Sequence, residues 1–274
     1  MFALQLHQHH IIDLYCLVDD LVIEKEKPKG GRPALLTDSE LVTALLWNVL
    51  TVHSKTLKDV HKFLLLYHRK DFPQFPTYGA FVYHCHRVLP DLLMLLELLL
   101  ADEAPLRFVD STMIEVCKLV RVGSHKVAKS IAAFGKNHQG WHYGFKLHAS
   151  IDERGRLAGV ALTPANIYDA QALIRTLNEH ARVAVGDTHY GARVMGGIIW
   201  KQYGTIIIAP PHPKQKKKIM AGWQHFLLTI RPKIEAVFDV LKEHLHLVSS
   251  FPRSIGGYIL HYARILVGYQ LMVG

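Results

Sequence analysis

The sequence predicts an α/β fold, with a mixed-sheet domain over residues 105–274 preceded by an all-helical region over residues 1–104. Three observations lead there. Before Pro105, apolar residues recur at helical spacing in a series of short segments. After Pro105 the texture changes to short runs rich in β-branched and aromatic residues, bounded by Gly, Asp and Pro. Those runs come first as neighbours joined by turns and then alternate with helical segments, the order of a mixed sheet closed by a helix.

In chain order, "HQHHIIDLYCLVDDLVIE" has helix-like spacing and "EKEKPKGGRP" is a polar, Gly/Pro-rich link. "TDSELVTALLWNVLTV" opens with Thr37 as N-cap and Glu40 three residues on, a capping box. "TLKDVHKFLLLYH", "TYGAFVYHCHRVL" and the Leu-rich segment after Pro90 complete a helical unit. Such helices suit a helix-turn-helix DNA reader and any small bundle equally. Next, "LRFVDS" and "MIEVC" read as a strand or bent strand pair. "WHYGFKLHASID" and "RLAGVALTPAN" form two strands around the turn "ERG". "YDAQALIRTLNEHA" is helical, "RVAVGD" a short buried strand, "GARVMGGIIWKQY" helical and "TIIIAPP" a strand. Helices run through "RPKIEAVFDVLKEHL" and from Ser254 onward.

Half of the 274 residues are hydrophobic and 20% are charged, so the chain is globular rather than disordered. Cys16, Cys85 and Cys117 are scattered and odd in number, which favours a reducing, cytoplasmic compartment over a disulfide framework. No charged-then-apolar leader opens the chain, so no secretory signal is expected. The greasiest windows carry Glu97, or His261, Arg264 and Gln270, and are expected as buried helices rather than membrane spans. The net charge of +9 is uneven: residues 1–104 carry −3 and residues 105–274 carry +12. Residues 116–151 hold six Lys/Arg and residues 188–234 hold eight, with no acid in either tract. Surface charge ordinarily mixes signs, so two acid-free tracts point to a polyanion partner.

Against that field, Asp110 and Asp187 stand out. Each ends a short apolar strand and is followed by Ser or Thr. Strand ends are where α/β folds place chemistry, although a lone Asp there is ordinarily a turn residue. Within residues 231–245, read as one helix, Ile234, Val237, Phe238, Leu241 and Leu245 form an apolar stripe. Arg231, Glu235 and Lys242 then fall within an arc of roughly 40° at its border. The bland reading is an exposed Arg–Glu pair four residues apart. The sharper one makes Asp110, Asp187 and Glu235 a ligand set for Mg²⁺, which prefers hard oxygens. Two such ions, about 3.5–4 Å apart, serve in-line phosphoryl displacement.

Several other residues invite a role. His142 and His148, with Lys146 between them, alternate on one face of an expected strand and suit DNA or the site, against the blander reading of each as an ordinary surface or satisfied histidine. His189 follows Asp187 by two residues and suits proton transfer or a phosphate contact. Trp141, Trp200 and Trp223 suit either base stacking or core packing. The His and Cys clusters around residues 7–10 and Cys85 lack the paired partners of a structural zinc site.

Asp110, seventy-six residues, Asp187, forty-seven residues, Glu235 resembles the catalytic spacing of DDE transposases. "GGRPALLTDSE", "FPTYGAFV", "VDST", "HKVAKSIAAFGKNHQGWHYGFKLH", "TPAN" and "IEAVFDVLK" resemble the bacterial insertion-sequence 982 family over most of the chain. Leu228 stands where related transposases often have tyrosine, and Thr188-His189-Tyr190 where they often have Lys-Gly-Tyr. The resemblance implies an RNase H-like catalytic domain behind a helical region that recognises DNA ends. It implies two Mg²⁺, replaceable by Mn²⁺, on Asp110, Asp187 and Glu235, activating water to cut one strand before the freed 3′ hydroxyl attacks target DNA. Arg231 and Lys242 are then expected on phosphates, with Lys126, Lys129, Lys136, Lys146, His148, His189, Lys216, Lys217 and Lys218 as further DNA contacts. The implied working form is a homodimer on double-stranded terminal repeats and target DNA, in the nucleoid. A DNA-binding derivative that no longer cuts, or a stand-alone structure-specific nuclease, fits the same residues.

Overall fold

The computed structural model describes residues 10–22, 34–137, 140–191, 193–212 and 219–274. The chain divides into two compact units, one of Met1–Leu99, Glu243–Leu247 and Phe251–Gly274, the other of Leu100–Lys242 and Val248–Ser250.

The first unit is helical: α1 (Ile11–Leu21), α2 (Asp38–Thr51), α3 (Leu57–Tyr67), α4 (Tyr78–Arg87), α5 (Leu89–Leu99) and the C-terminal helix Ile255–Val273. The capping box opens α2 as its sequence requires: the Glu40 N–H donates to Thr37 Oγ1 at 3.1 Å, and the Thr37 N–H to Glu40 Oε2 at 2.7 Å. Leu41, Val42, Leu45, Leu46 and Val49 of α2 are buried, and the C-terminal helix is buried on nearly every side. A helix apolar all round belongs inside a bundle. At Gly268 a Cβ would come within 2.4 Å of the Val49 side chain, so glycine permits the close approach of these two helices. Arg264, fully buried, donates to the Ser54 carbonyl at 2.8 Å, and Gln270 to that of Leu99. The C-terminal helix is thus core to the helical unit, whereas the sequence reading had placed it in the sheet domain. No described helix is long and apolar enough to cross a membrane.

The second unit holds β1 (Leu106–Glu115), β2 (Ala133–Asn137), β3 (Gly140–Ile151), β4 (Leu157–Pro164), α6 (Asp169–Leu173), β5 (Val183–Val185), α7 (Arg193–Tyr203), β6 (Ile206–Ile208), α8 (Gly222–Ile230) and α9 (Lys233–Asp239). The sheet runs β2-β3-β1-β5-β6, with β4 also on β3. β3 is antiparallel to β1, β2 and β4, while β5 is parallel to β1 and β6. β1 is one continuous strand rather than a bent pair. At the expected "ERG" turn, Asp152 Oδ1 accepts the N–H groups of Arg154 and Arg156. Arg107, 1% exposed, fastens the base of the unit by donating to the carbonyls of Asp102, Ala104, Ala158 and Thr176 and to the Asn178 side chain. A core of Val109, Leu173, Leu177, Ala181, Ala184, Tyr190 and Ile199 joins β1 and β5 to α6 and α7.

Four elements differ from the sequence reading. β2 and α8 were not expected, and α6 is only five residues long. The helix read over 231–245 is α9 alone, preceded by a turn at Arg231–Pro232 and followed by a π-helical turn at Val240–His244. Pro232 has no N–H to donate back to Leu228, so α8 stops there and α9 starts.

Candidate active site

Successive strand residues point to opposite faces of a sheet. Asp110 and Ser111 therefore look out from the two sides of β1. α9 packs against β1 and carries Glu235 on its first turn. Arg231, in the turn before α9, donates from Nη2 to Asp110 Oδ2 at 2.7 Å and from Nη1 to Glu235 Oε1 at 3.2 Å. The pair read as bland is present, and its arginine also bridges to a second carboxylate 121 residues earlier. The Asp110 and Arg231 side chains are each 17% exposed, Glu235 57%.

Burial pushes the Asp110 carboxyl up to about 6. Arg231 and the Ser111 N–H oppose the rise, while the charges of Asp187 and Glu235 add to it. The three acids thus share one electrostatic neighbourhood. Asp187 lies two residues past the end of β5; its Oδ1 accepts the His189 N–H at 2.8 Å and its carbonyl the Tyr190 N–H at 3.1 Å. Gly186 before it is obligatory, because a Cβ there would meet the Tyr190 ring at 2.7 Å.

On the other face, Ser111 Oγ donates to Asp169 Oδ1 at 2.7 Å, and Lys146 Nζ donates to the same oxygen and to the Ile167 carbonyl, both at 3.0 Å. His148 shares a 2.9 Å hydrogen bond with Thr163 Oγ1. Burial pushes the His148 imidazole down to about 4, with Lys146 and Arg175 in the same direction against Asp169, so it is neutral near pH 7. Lys146 and His148 are 8% and 2% exposed. The DNA contacts expected of them are corrected: both are interior residues under α6. His142 is likewise engaged, with Glu115 and Asn137. Asp169 and Ser111 were missed, although "IYDAQ" and "VDST" placed an acid at a helix start and a hydroxyl beside Asp110.

Of the remaining DNA candidates, Lys126, Lys129, Lys136 and His189 are exposed, and Lys242 is partly exposed in the π-helical turn. Lys216, Lys217 and Lys218 lie outside the described residues. Trp141, Trp200 and Trp223 are 57%, 56% and 54% exposed, which excludes core packing for all three.

The acids offer only hard carboxylate oxygens, the donors a divalent cation of the Mg²⁺ type takes. The partly desolvated Asp110 demands positive charge, which Arg231 supplies here. Among the described residues no three His, Cys, Asp or Glu are grouped so as to hold a metal ion, and Arg231 bridges Asp110 and Glu235.

A family model described as the transposase DDE domain matches residues 100–255. The chain belongs to the DDE transposase family. All three acids of this transposase lie within the matched span, on its mixed α/β unit. Membership implies DNA as the partner and divalent metal as the general requirement. No curated protein and no solved structure matches the chain.

Proposed function

We propose that this DDE transposase cuts the ends of a bacterial insertion sequence, of the 982 type that its motifs resemble, and joins them to target DNA. The observation that carries the reading is Arg231, which holds acids from β1 and α9 on one guanidinium with the Asp187 charge in range. An RNase H-like fold is supported by the antiparallel β4-β3-β1 set followed by β5 and β6 parallel to β1.

In this reading Asp110, Asp187 and Glu235 would hold two Mg²⁺, for which Mn²⁺ would substitute. When bound, such ions supply Lewis-acid activation of the attacking oxygen and stabilise the leaving one. The chain's own residues do the rest. β1 fixes Asp110 rigidly, and the Asx-type turn after Gly186 aims Asp187. Arg231 neutralises Asp110 and Glu235, its planar fork also suits a phosphate bidentately, and Lys242 would reach a second one. Exposed lysines of the acid-free tracts hold the duplex backbone. The helical unit reads the terminal repeats, and two copies work as a dimer because two ends must be held together.

The test is nicking of end-labelled duplexes that carry the element's own termini. Asp110→Asn is expected to retain duplex binding and lose Mg²⁺-dependent nicking by several orders of magnitude. Undiminished nicking by this variant overturns the assignment.

A further inference from the structure

β2 and the first part of β3 form an antiparallel hairpin with Phe134 opposite Tyr143, Gly135 opposite His142 and Lys136 opposite Trp141. Strand alternation puts Phe134, Lys136, Trp141 and Tyr143 on one face. The other face is closed: a Cβ at Gly135 would meet the Ala165 carbonyl at 2.5 Å, and His142 is held by Glu115 and Asn137. The hairpin is therefore anchored by its back, and its front faces solvent. There the rings sit on a support. Phe134 packs against the buried Tyr143 ring at 5.0 Å, and Lys136 Nζ lies 5.7 Å from the centre of the Trp141 ring. Phe134 and Trp141 nevertheless remain 50% and 57% exposed.

Two neighbouring exposed aromatic rings offer a contact surface, and the charge around them says of what kind. Lys118, Arg121, Lys126, Lys129 and Lys136 are all exposed, and the surrounding residues 116–151 contain no acid. That composition selects a polyanion over an apolar protein surface. Aromatic faces add what a duplex backbone does not need, since stacking requires a base released from its pair.

We infer that the Phe134–Trp141 face of the β2–β3 hairpin is a stacking platform for unpaired nucleotides of DNA, held beside the exposed lysines. This rests on the reading of the chain as a DNA-cutting transposase. Asp110 lies opposite Ala149 of β3, so the platform stands on the order of 25 Å along that strand from the acids. It therefore grips an opened strand several nucleotides from the cut, not the scissile nucleotide itself.

The test measures binding by the full chain in the Asp110→Asn background without divalent cation, using fluorescence anisotropy. The probes are a labelled thymidine oligomer of roughly 16 nucleotides and a duplex of the same length. Phe134→Ala/Trp141→Ala is expected to weaken oligomer binding about tenfold or more and to leave duplex binding within about twofold. Trp141→Phe, which keeps a ring, is expected to stay within about threefold on both probes. Lys126→Ala/Lys129→Ala weakens both probes alike. An alanine pair that loses both probes equally, or neither, overturns the platform. So does sedimentation showing a self-associated wild type that the alanine pair dissociates, which would assign the face to a second copy. A wild type that binds neither probe sinks the transposase reading itself, a distinguishable failure.

Discussion

Arg231→Met removes the guanidinium that neutralises Asp110 while keeping most of its aliphatic bulk. Unit charges about 4 Å apart interact by about 4 kcal/mol at an effective dielectric constant of ~20. Desolvation of the pair offsets part of that, and hydrogen bonds to charged groups net about 1.5–3 kcal/mol. Glu235 is 57% exposed, so water replaces its share at a cost of about 0.5 kcal/mol or less. The expected destabilisation at pH 8 is therefore about 2 kcal/mol. The pH dependence follows from the raised Asp110 carboxyl, about 6 when folded against 3.8 as its ordinary value. The folded state binds that proton more tightly, so this contribution to stability is full below 3.8 and is lost as pH rises through 6. Without Arg231 the folded value rises further, and the loss continues above pH 6. At pH 5 Asp110 is largely protonated even in the parent protein, and the variant is expected to lose only about 1 kcal/mol or less. Urea denaturation at both pH values, followed by the fluorescence of Trp141, Trp200 and Trp223 in the same unit, measures the difference. Equal shifts at pH 5 and pH 8 refute the reasoning.

Asp169→Asn leaves the Lys146 ammonium, its side chain 10% exposed, without its carboxylate. We expect about 2–3 kcal/mol of destabilisation, partly restored by adding Lys146→Met, because the uncompensated buried charge is then gone too; thermal melts check the pair. Duplex affinity is expected to fall roughly 10³-fold or more between about 50 and 200 mM salt if six or more phosphates are neutralised. A flat anisotropy titration over that range contradicts the basic footprint.

What was legible in the sequence was local. The Thr37–Glu40 capping box, the position of Asp187 just past β5 and the Arg231–Glu235 pair depend on residues within a few positions of one another, and each is found as read, whereas Asp110, read as ending a strand, lies inside β1, which runs on to Glu115. Alternation put Lys146 and His148 on one strand face correctly, but it could not say that α6 covers that face. The partner that internalises them, Asp169, is 23 residues on from Lys146. β2 escaped notice because Gly135 interrupts a five-residue run whose order comes from pairing with β3. α8 was missed although Trp223, Phe226, Leu227 and Ile230 recur at helical spacing; none of them is buried. Hydropathy marked the C-terminal helix as buried without naming its core. That was decided by contacts such as Arg264 to Ser54, 210 residues apart. A uniform 100° per residue placed Lys242 beside Glu235, but the π-helical turn at Val240–His244 turns that part of the chain differently.

The most direct test of the account is where a bound divalent ion sits. With Fe²⁺ in place of Mg²⁺, ascorbate and peroxide release hydroxyl radicals that cut the backbone close to the metal. Fragments ending near residues 110, 187 and 235, suppressed by excess Mg²⁺ and abolished in Asp110→Asn/Glu235→Gln, are the predicted result. Cuts elsewhere, or the same three cuts surviving in the double variant, would contradict a shared cation centre.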